Sequence, residues 1–241
     1  MPVKFLDVLP DPNYPIDAAG FQAGSVTGPG FVSMQLTEMG KSMIDRTHTG
    51  RVIRRTNAQH KWLVNIKYNP LTKVQFDPVY TFLMEKRGGL KPFYVSMPQY
   101  KLPKDTDFAT YVQGAAVITT TSVETTGTTV MEISSTTAWS GLPKFGDLFT
   151  INDSTNSLHT KTYMISRVEN DADYNTTVGQ PTAGDLRIHF TPGLQKTTAS
   201  DAVLVFNNPL IQVVQLQDIQ EYSLDTENLY AFALKLEEAL Y

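Results

Sequence analysis

Four histidines (His48, His60, His159 and His189) are the natural first candidates for chemistry, because imidazole serves both as metal ligand and as general base. They are scattered along the chain, with no H-E-x-x-H and no i, i+4 pair that would hold a metal from one helix face. His189 falls in a strand pattern and reads as a packed or edge residue. Among the carboxylates, Asp147, Asp153, Asp171, Asp173 and Asp185 all lie in turn-like contexts, where aspartate bonds back to its own backbone. A hydrolytic acid pair would have to meet ~5–10 Å apart in space, which only the fold decides. Asp171-x-Asp173-x-Asn175 has the first three ligand positions of a calcium loop, but Thr176 stands at the glycine position and Thr182 at the bidentate glutamate. It reads as an ordinary polar loop. There is no G-x-S-x-G elbow, Walker loop or dinucleotide fingerprint, and no cysteine to serve as nucleophile or thiolate ligand. The expectation is a protein that is not an enzyme and holds no metal or cofactor.

What remains is the chemistry of contact. Lys41, Arg46, Arg51, Arg54, Arg55, Lys61, Lys67 and Lys73 stand against one acidic residue, Asp45, in the same stretch. A basic run of this kind can meet nucleic acid. The whole chain is mildly acidic, with a formal net charge of −4, and carries no DNA-binding motif, so the run reads as a solvated face or one side of a subunit contact. Trp62 lies in a strand and reads as core, whereas Trp139, near a glycine turn, could stack on a sugar, as could Tyr174.

The elements that would position these residues are mostly strands. The chain has 241 residues, a charged share of 18% and many threonines, serines and asparagines, which suits β-structure with weakly charged faces. Residues 1–30 are dense in proline and glycine and predict an extended arm, with Phe5, Leu6, Val8, Leu9, Tyr14 and Ile16 as anchors able to lie along a neighbour. No basic n-region or apolar h-region marks a signal peptide there, and no apolar run approaches the ~20 residues of a membrane span. FVSMQLTEM and GRVIRRT predict two short strands around a turn at Asp45 to Gly50. Trp62 to Tyr68 alternates as a strand with one buried face and ends at Asn69-Pro70.

A helix over about 72–87 follows. Thr72 with Gln75 resembles a capping box, and Asp77-Pro78 offers a second start. Phe76, Val79, Tyr80 and Leu83 form its apolar stripe, and Gly88 suits the left-handed stop. Phe93 to Met97 is the next strand. Residues 98–110, with two prolines and mixed charge, predict a linker.

Beyond it, VITTTSVETTGTTVMEISSTT predicts a hairpin about Thr126-Gly127. LFTI, TYMISRV, LRIHF and AVLVF supply further short strands at near-regular spacing. They predict a small β-barrel or sandwich inserted at 105–207. After Asn208-Pro209, LIQVVQL and LYAFALKL predict two long strands returning to the first domain. The domain reading is therefore an arm at 1–30, a β domain of 31–104 plus 208–241, and an insert.

WLVNIKYNPLTKVQFDPVYTFLMEKRGGLKPFYV resembles a segment of phage tail proteins, in which an aromatic strand, a P-[LM]-T turn, a short helix and an RG turn run into an F-[YF]-V strand. The family is the distal tail (Dit-like) protein of long-tailed phages, related in fold to tail-tube proteins. The order of the insert (a G-A entry, a Trp, a K-x-G-D strand, a Y-M-I strand, a P-G-L turn and a V-x-V strand) is similar to domains that follow this unit in phage tail proteins. The resemblance implies a mainly β fold, a tail-tube-like barrel or sandwich with one short helix and an inserted small β-barrel.

It also implies a structural virion protein: a baseplate hub ring, six-fold, joining the tail tube protein to baseplate and hub proteins. Viral DNA would pass through without sequence recognition, no membrane would be entered, and assembly would take place in the host bacterial cytoplasm. Arg51, Arg54 and Arg55, with Tyr14 and Phe21 of the arm, are then the expected subunit-interface residues. The alternative is a carbohydrate-binding tail module for host adsorption, with Trp139 and Tyr174 as glycan contacts.

Overall fold

Trp62, Val64, Ile66 and Tyr68 all turn inward and are buried, while Lys67 between them is exposed, so period-two alternation places one face of this strand on a core. The computed structural model describes residues 7–12, 28–174, 176–217, 222–225 and 227–240, with the backbone alone at 41–42 and 55–59. In chain order the elements are β1 (Phe31–Arg46), β2 (Val52–Tyr68), α1 (Lys73–Lys86), β3 (Phe93–Ser96), α2 (Thr106–Gln113), β4 (Ile118–Thr120), β5 (Val130–Ser135) and β6 (Leu148–Asn152). There follow β7 (Thr162–Glu169), β8 (Leu186–Thr191), β9 (Val203–Val205), β10 (Leu210–Gln215), β11 (Ser223–Leu224), β12 (Tyr230–Ala231) and β13 (Ala233–Glu238). The fold is mainly β. The chain divides into two units, one running up to Val95 and resuming at Gln212–Leu240, the other Ser96–Ile211.

The first unit is a five-stranded sheet in the order β1-β2-β13-β10-β3. The two short strands expected before Arg55 and the separate strand at Trp62 are one long hairpin, because β2 runs unbroken for 17 residues against the 16 of β1. Its turn lies at Thr47 to Arg51, where Thr47 N–H donates to Arg51 O at 2.9 Å and Gly50 takes φ 81°. α1 covers the sheet. It starts at Thr72, whose backbone N–H donates to Gln75 Oε1 at 3.2 Å, so Pro78 lies inside the helix rather than at its first position. Phe76, Val79, Phe82 and Leu83 are its buried face, and Phe82 meets Phe93 of β3 edge-on at 5.5 Å. The left-handed stop is made by Arg87 at φ 52° as well as by Gly88 at φ 64°. LYAFALKL is broken at Phe232, which turns in between Tyr68 and Phe76.

The second unit is a closed barrel, β4-β5-β8-β7-β6-β9, every neighbouring pair antiparallel. Phe149, Tyr163, Phe190 and Phe206 fill its core with ring contacts of 5.3–5.7 Å. Alternation of strand direction sends the loops 121–129, 153–161 and 192–202 to one end. The chain enters and leaves at the other, beside the loops 136–147 and 170–185.

Residues 98–110 are not a plain linker. A 3-10 turn at Pro98–Tyr100 is followed by α2, capped by Asp105, whose Oδ1 accepts from Asp107 N–H at 3.1 Å and Phe108 N–H at 3.0 Å. The structure therefore has a second helix where the sequence reading gave one, and Phe108 enters the barrel core fully buried. Gly141, at φ 70°, passes directly over that cap: an added Cβ would lie 2.4 Å from Asp105 Oδ1 and 2.5 Å from Phe108 N. Gly141→Ala should therefore cost about 1–2 kcal/mol of barrel stability from backbone strain and displaced cap together, read as a lower urea midpoint. An unchanged midpoint would show that the cap yields freely.

Candidate functional site

The basic run is carried by the far part of the β1–β2 hairpin. β13 pairs with β2 only over Leu63 to Lys67, so among the described residues β2 from Trp62 back to Val52 pairs with β1 alone. At ~3.3 Å per residue this is a two-stranded ribbon roughly 35 Å long. Residues directly opposite in an antiparallel pair share a face. Ile44 opposite Arg54 and Arg46 opposite Val52 make one face; Met43 opposite Arg55 and Asp45 opposite Ile53 make the other. Met43 is 73% exposed, Ile44 64% and Ile53 52%. Among the described residues, Met43, Ile44, Val52 and Ile53 thus stand exposed on a ribbon that also carries Arg51 and Arg54. Such a patch marks a contact surface, and guanidinium groups beside aliphatic ones suit a partner that offers carboxylates around an apolar centre.

Arg51 lies at the end of the turn and Arg54 on β2, both exposed. Arg55 is placed by its backbone on the face opposite to that of Arg54. Lower on the hairpin the charge is already balanced: Lys61 pairs with Glu237, and His60 Nε2 lies 3.3 Å from Glu38 Oε1. The effective cationic part is therefore shorter than the sequence run. Tyr14 and Phe21 lie outside the described residues.

The other candidates have structural employment. Trp139 is half-buried over Phe108 and Tyr111, and its indole N–H donates to Gly184 O at 2.8 Å, so it ties the loop 136–147 to the loop 170–185. Tyr174 is half-buried in the second of these loops. The calcium-like stretch is closed by Asn170, whose Oδ1 accepts from Ala172 N–H at 2.9 Å and Asp173 N–H at 2.6 Å. Among the described residues no group of three or more histidines and carboxylates could hold a metal ion.

Asp147 is buried and accepts from Lys104 N–H at 3.0 Å and Lys144 N–H at 2.8 Å. Burial raises its carboxyl above the usual range despite those bonds. Asp153 is also buried, yet bonds from Thr155 and Ala199 outweigh desolvation and hold it below that range. Both acids are backbone staples.

No protein-family model matches the chain, and no curated protein matches it. Its function must be argued from the geometry.

Sequence reasoning missed a charge network on the barrel wall. Arg187 of β8 stands between Glu132 of β5, at 2.6 Å, and Glu169 of β7, at 3.4 Å, as strand register requires. Glu169 Oε1 is also 2.6 Å from Arg167 and 3.1 Å from His189 Nε2. Burial, then the Arg167 cation beside it, lowers the pKa of His189. Arg187 further donates to Gly179 O at 2.8 Å, pinning the loop 170–185. The only trace in sequence is the alternation of charge in SRVE and LRIH, which acquires meaning once the strands are in register. Among the described residues no helix is long and apolar enough to cross a membrane.

Proposed function

We propose that this chain is a structural virion protein of a long-tailed phage, a distal tail or baseplate hub component that assembles with copies of itself into a ring joining tail tube to baseplate. The observation that carries this reading is the projecting β1–β2 ribbon, which exposes Met43, Ile44, Val52 and Ile53 among arginines and, among the described residues, pairs with no third strand beyond Trp62. The resemblance of Trp62 to Val95 to phage tail proteins supports it, and so does the architecture: a sheet with a long outer strand, β1, and a separate small barrel. In this reading the ribbon is the subunit contact, Arg51, Arg54 and Arg55 face carboxylates of the next copy, and the central passage admits DNA without reading it. Six-fold order comes from the resemblance alone. The carbohydrate-binding alternative has less support, because the Trp139 ring is half-buried against Phe108 and Tyr111 rather than offered flat to solvent.

The test is the mass of the purified protein by light scattering, with negative-stain images of any large species. A ring with a central channel is expected. Arg54→Glu with Arg55→Glu should weaken self-association by about tenfold to a hundredfold by setting like charges against the partner's carboxylates. Unchanged assembly of the double variant would remove the ribbon from the interface.

A further inference from the structure

An acidic chain is a poor ligand for nucleic acid unless its charge is segregated, and here it is. Residues 41–55 hold four of the seven arginines, one lysine and a single carboxylate, Asp45. That is a net +4 within a chain of −4, which leaves −8 on the rest. Elsewhere cations meet carboxylates within the protein: Lys61 pairs with Glu237, Lys86 with Asp7, Lys144 with Asp105, and Arg167 and Arg187 with Glu169. Among the described residues Arg46, Arg51 and Arg54 are exposed and have no such pair.

The fold carries this charge away from the acids at the base of the ribbon. Glu38, opposite Trp62 on β1, is nine residues from Thr47. Along an extended strand that is ~30 Å, about three Debye lengths at 0.1 M salt. Asp45 alone is nearer; its Oδ1 accepts from Arg46 N–H at 2.8 Å, and register sets it on the other face of the ribbon from Arg46. The turn itself is cross-bonded. Gly50 N–H donates to Thr47 O at 2.8 Å, Arg51 N–H donates to Thr47 Oγ1 at 3.0 Å, and that hydroxyl lies 2.9 Å from Thr49 Oγ1. Arg46 and Arg51 therefore flank one fixed turn, with His48 exposed between them. Guanidinium groups held in place suit phosphate oxygens, which they can meet with two parallel bonds.

The residue types narrow the partner. Residues 41–55 contain no Phe, Tyr or Trp on which an unpaired base could stack, and no Asn or Gln to read an adenine edge. A two-stranded ribbon is a width that the major groove of a duplex admits. We propose that the turn of the β1–β2 hairpin, through Arg46, His48 and Arg51, binds the phosphate backbone of duplex DNA without regard to sequence. Arg54 and Arg55 on the stem stay with the subunit contact, and Arg51 borders both. One copy of the chain suffices for this contact, with or without a ring.

The test is fluorescence anisotropy of two labelled ~20-base-pair duplexes of unrelated sequence, titrated with the full chain between 50 and 200 mM salt. With two arginines each on a phosphate, log K should fall against log salt with a slope of about −1.8, a loss of about twelvefold over that range for either duplex. Arg46→Gln should halve the slope, and Arg46→Lys, which keeps the charge, should retain it. A wild type with no salt-dependent binding at the lowest salt overturns the site, as does an Arg46→Gln variant with the wild-type slope. Polyglutamate that displaces the duplex as well as unlabelled duplex does would also overturn it and make an acidic protein the partner. Light scattering of the same samples separates this contact from the ring: a monomer that binds duplex supports the site and fails the ring, and a ring that ignores duplex fails the site alone.

Discussion

Truncating Phe149 to alanine should cost the barrel unit about 3–5 kcal/mol, the range for removing a fully buried aromatic side chain. The ring is 0% exposed and touches three others, with centroids at 5.5 Å for Tyr163, 5.7 Å for Phe190 and 5.4 Å for Phe206. A closed barrel gives the neighbours little freedom to collapse into the space, because Tyr163 and Phe190 sit on strands bonded on both sides and Phe206 directly follows β9. The fluorescence of Trp139 reports this unit, and Trp62 belongs to the sheet unit. Denaturation monitored through Trp139 in a Trp62→Phe background should therefore show a barrel transition shifted to much lower urea. A loss under about 1 kcal/mol would mean that the aromatic interior is less tightly packed than its contacts imply.

Much of this fold was legible before any coordinates. The alternation from Trp62 to Tyr68, the Thr72-Gln75 cap and the glycine turn at Gly127 each coincide with an element that the structure contains. These signals are local, and local physics produced them. What sequence did not give was decided by pairing. Nothing between Arg46 and Arg55 says that two short apolar runs belong to one long ribbon, since a strand's length is set by how far its partner keeps register. α2 was hidden behind two prolines, although Asp105 followed by Phe108, Tyr111 and Val112 is a cap and an apolar stripe. Its real cue was the need of a barrel end for a hydrophobic plug, which appears only when the barrel closes.

The site was legible to a lesser degree. Arg51, Arg54 and Arg55 were singled out as a charge run, but Met43, Ile44, Val52 and Ile53, which the structure leaves exposed on the same ribbon, read in sequence as ordinary strand residues. Val8 and Leu9 pack within their own unit, and the Asp7–Lys86 pair joins positions separated by 79 residues. Long-range pairs of single charges leave no periodicity to find.

His159 makes the barrel sensitive to acid, and the sign follows from its surroundings. The imidazole is 5% exposed; its Nε2 lies 2.8 Å from Tyr163 Oη, which also accepts from Gln195 N–H. The buried ring is kept neutral, and its Nε2 accepts from the Tyr163 hydroxyl in the Nδ1–H tautomer or donates to its oxygen in the other. Burial lowers the pKa of His159 to about 4, with Lys196 acting in the same direction and Asp153 opposing. The unfolded chain protonates this residue near 6.5. Its contribution is therefore complete above pH 6.5 and disappears as pH falls through that value to about 4, a loss of about 3 kcal/mol.

His189, also depressed, adds to the same trend, whereas the raised carboxyls of Glu124, Asp147 and Asp185 favour the folded state as they protonate and oppose it. A comparison of wild type with His159→Gln cancels these shared terms, since the glutamine oxygen can still accept from Tyr163 while carrying no titratable proton. Urea midpoints of the barrel at pH 7, 6, 5 and 4 should fall more steeply in the wild type. Parallel curves would show that the ring is charged, or wet, in the folded protein.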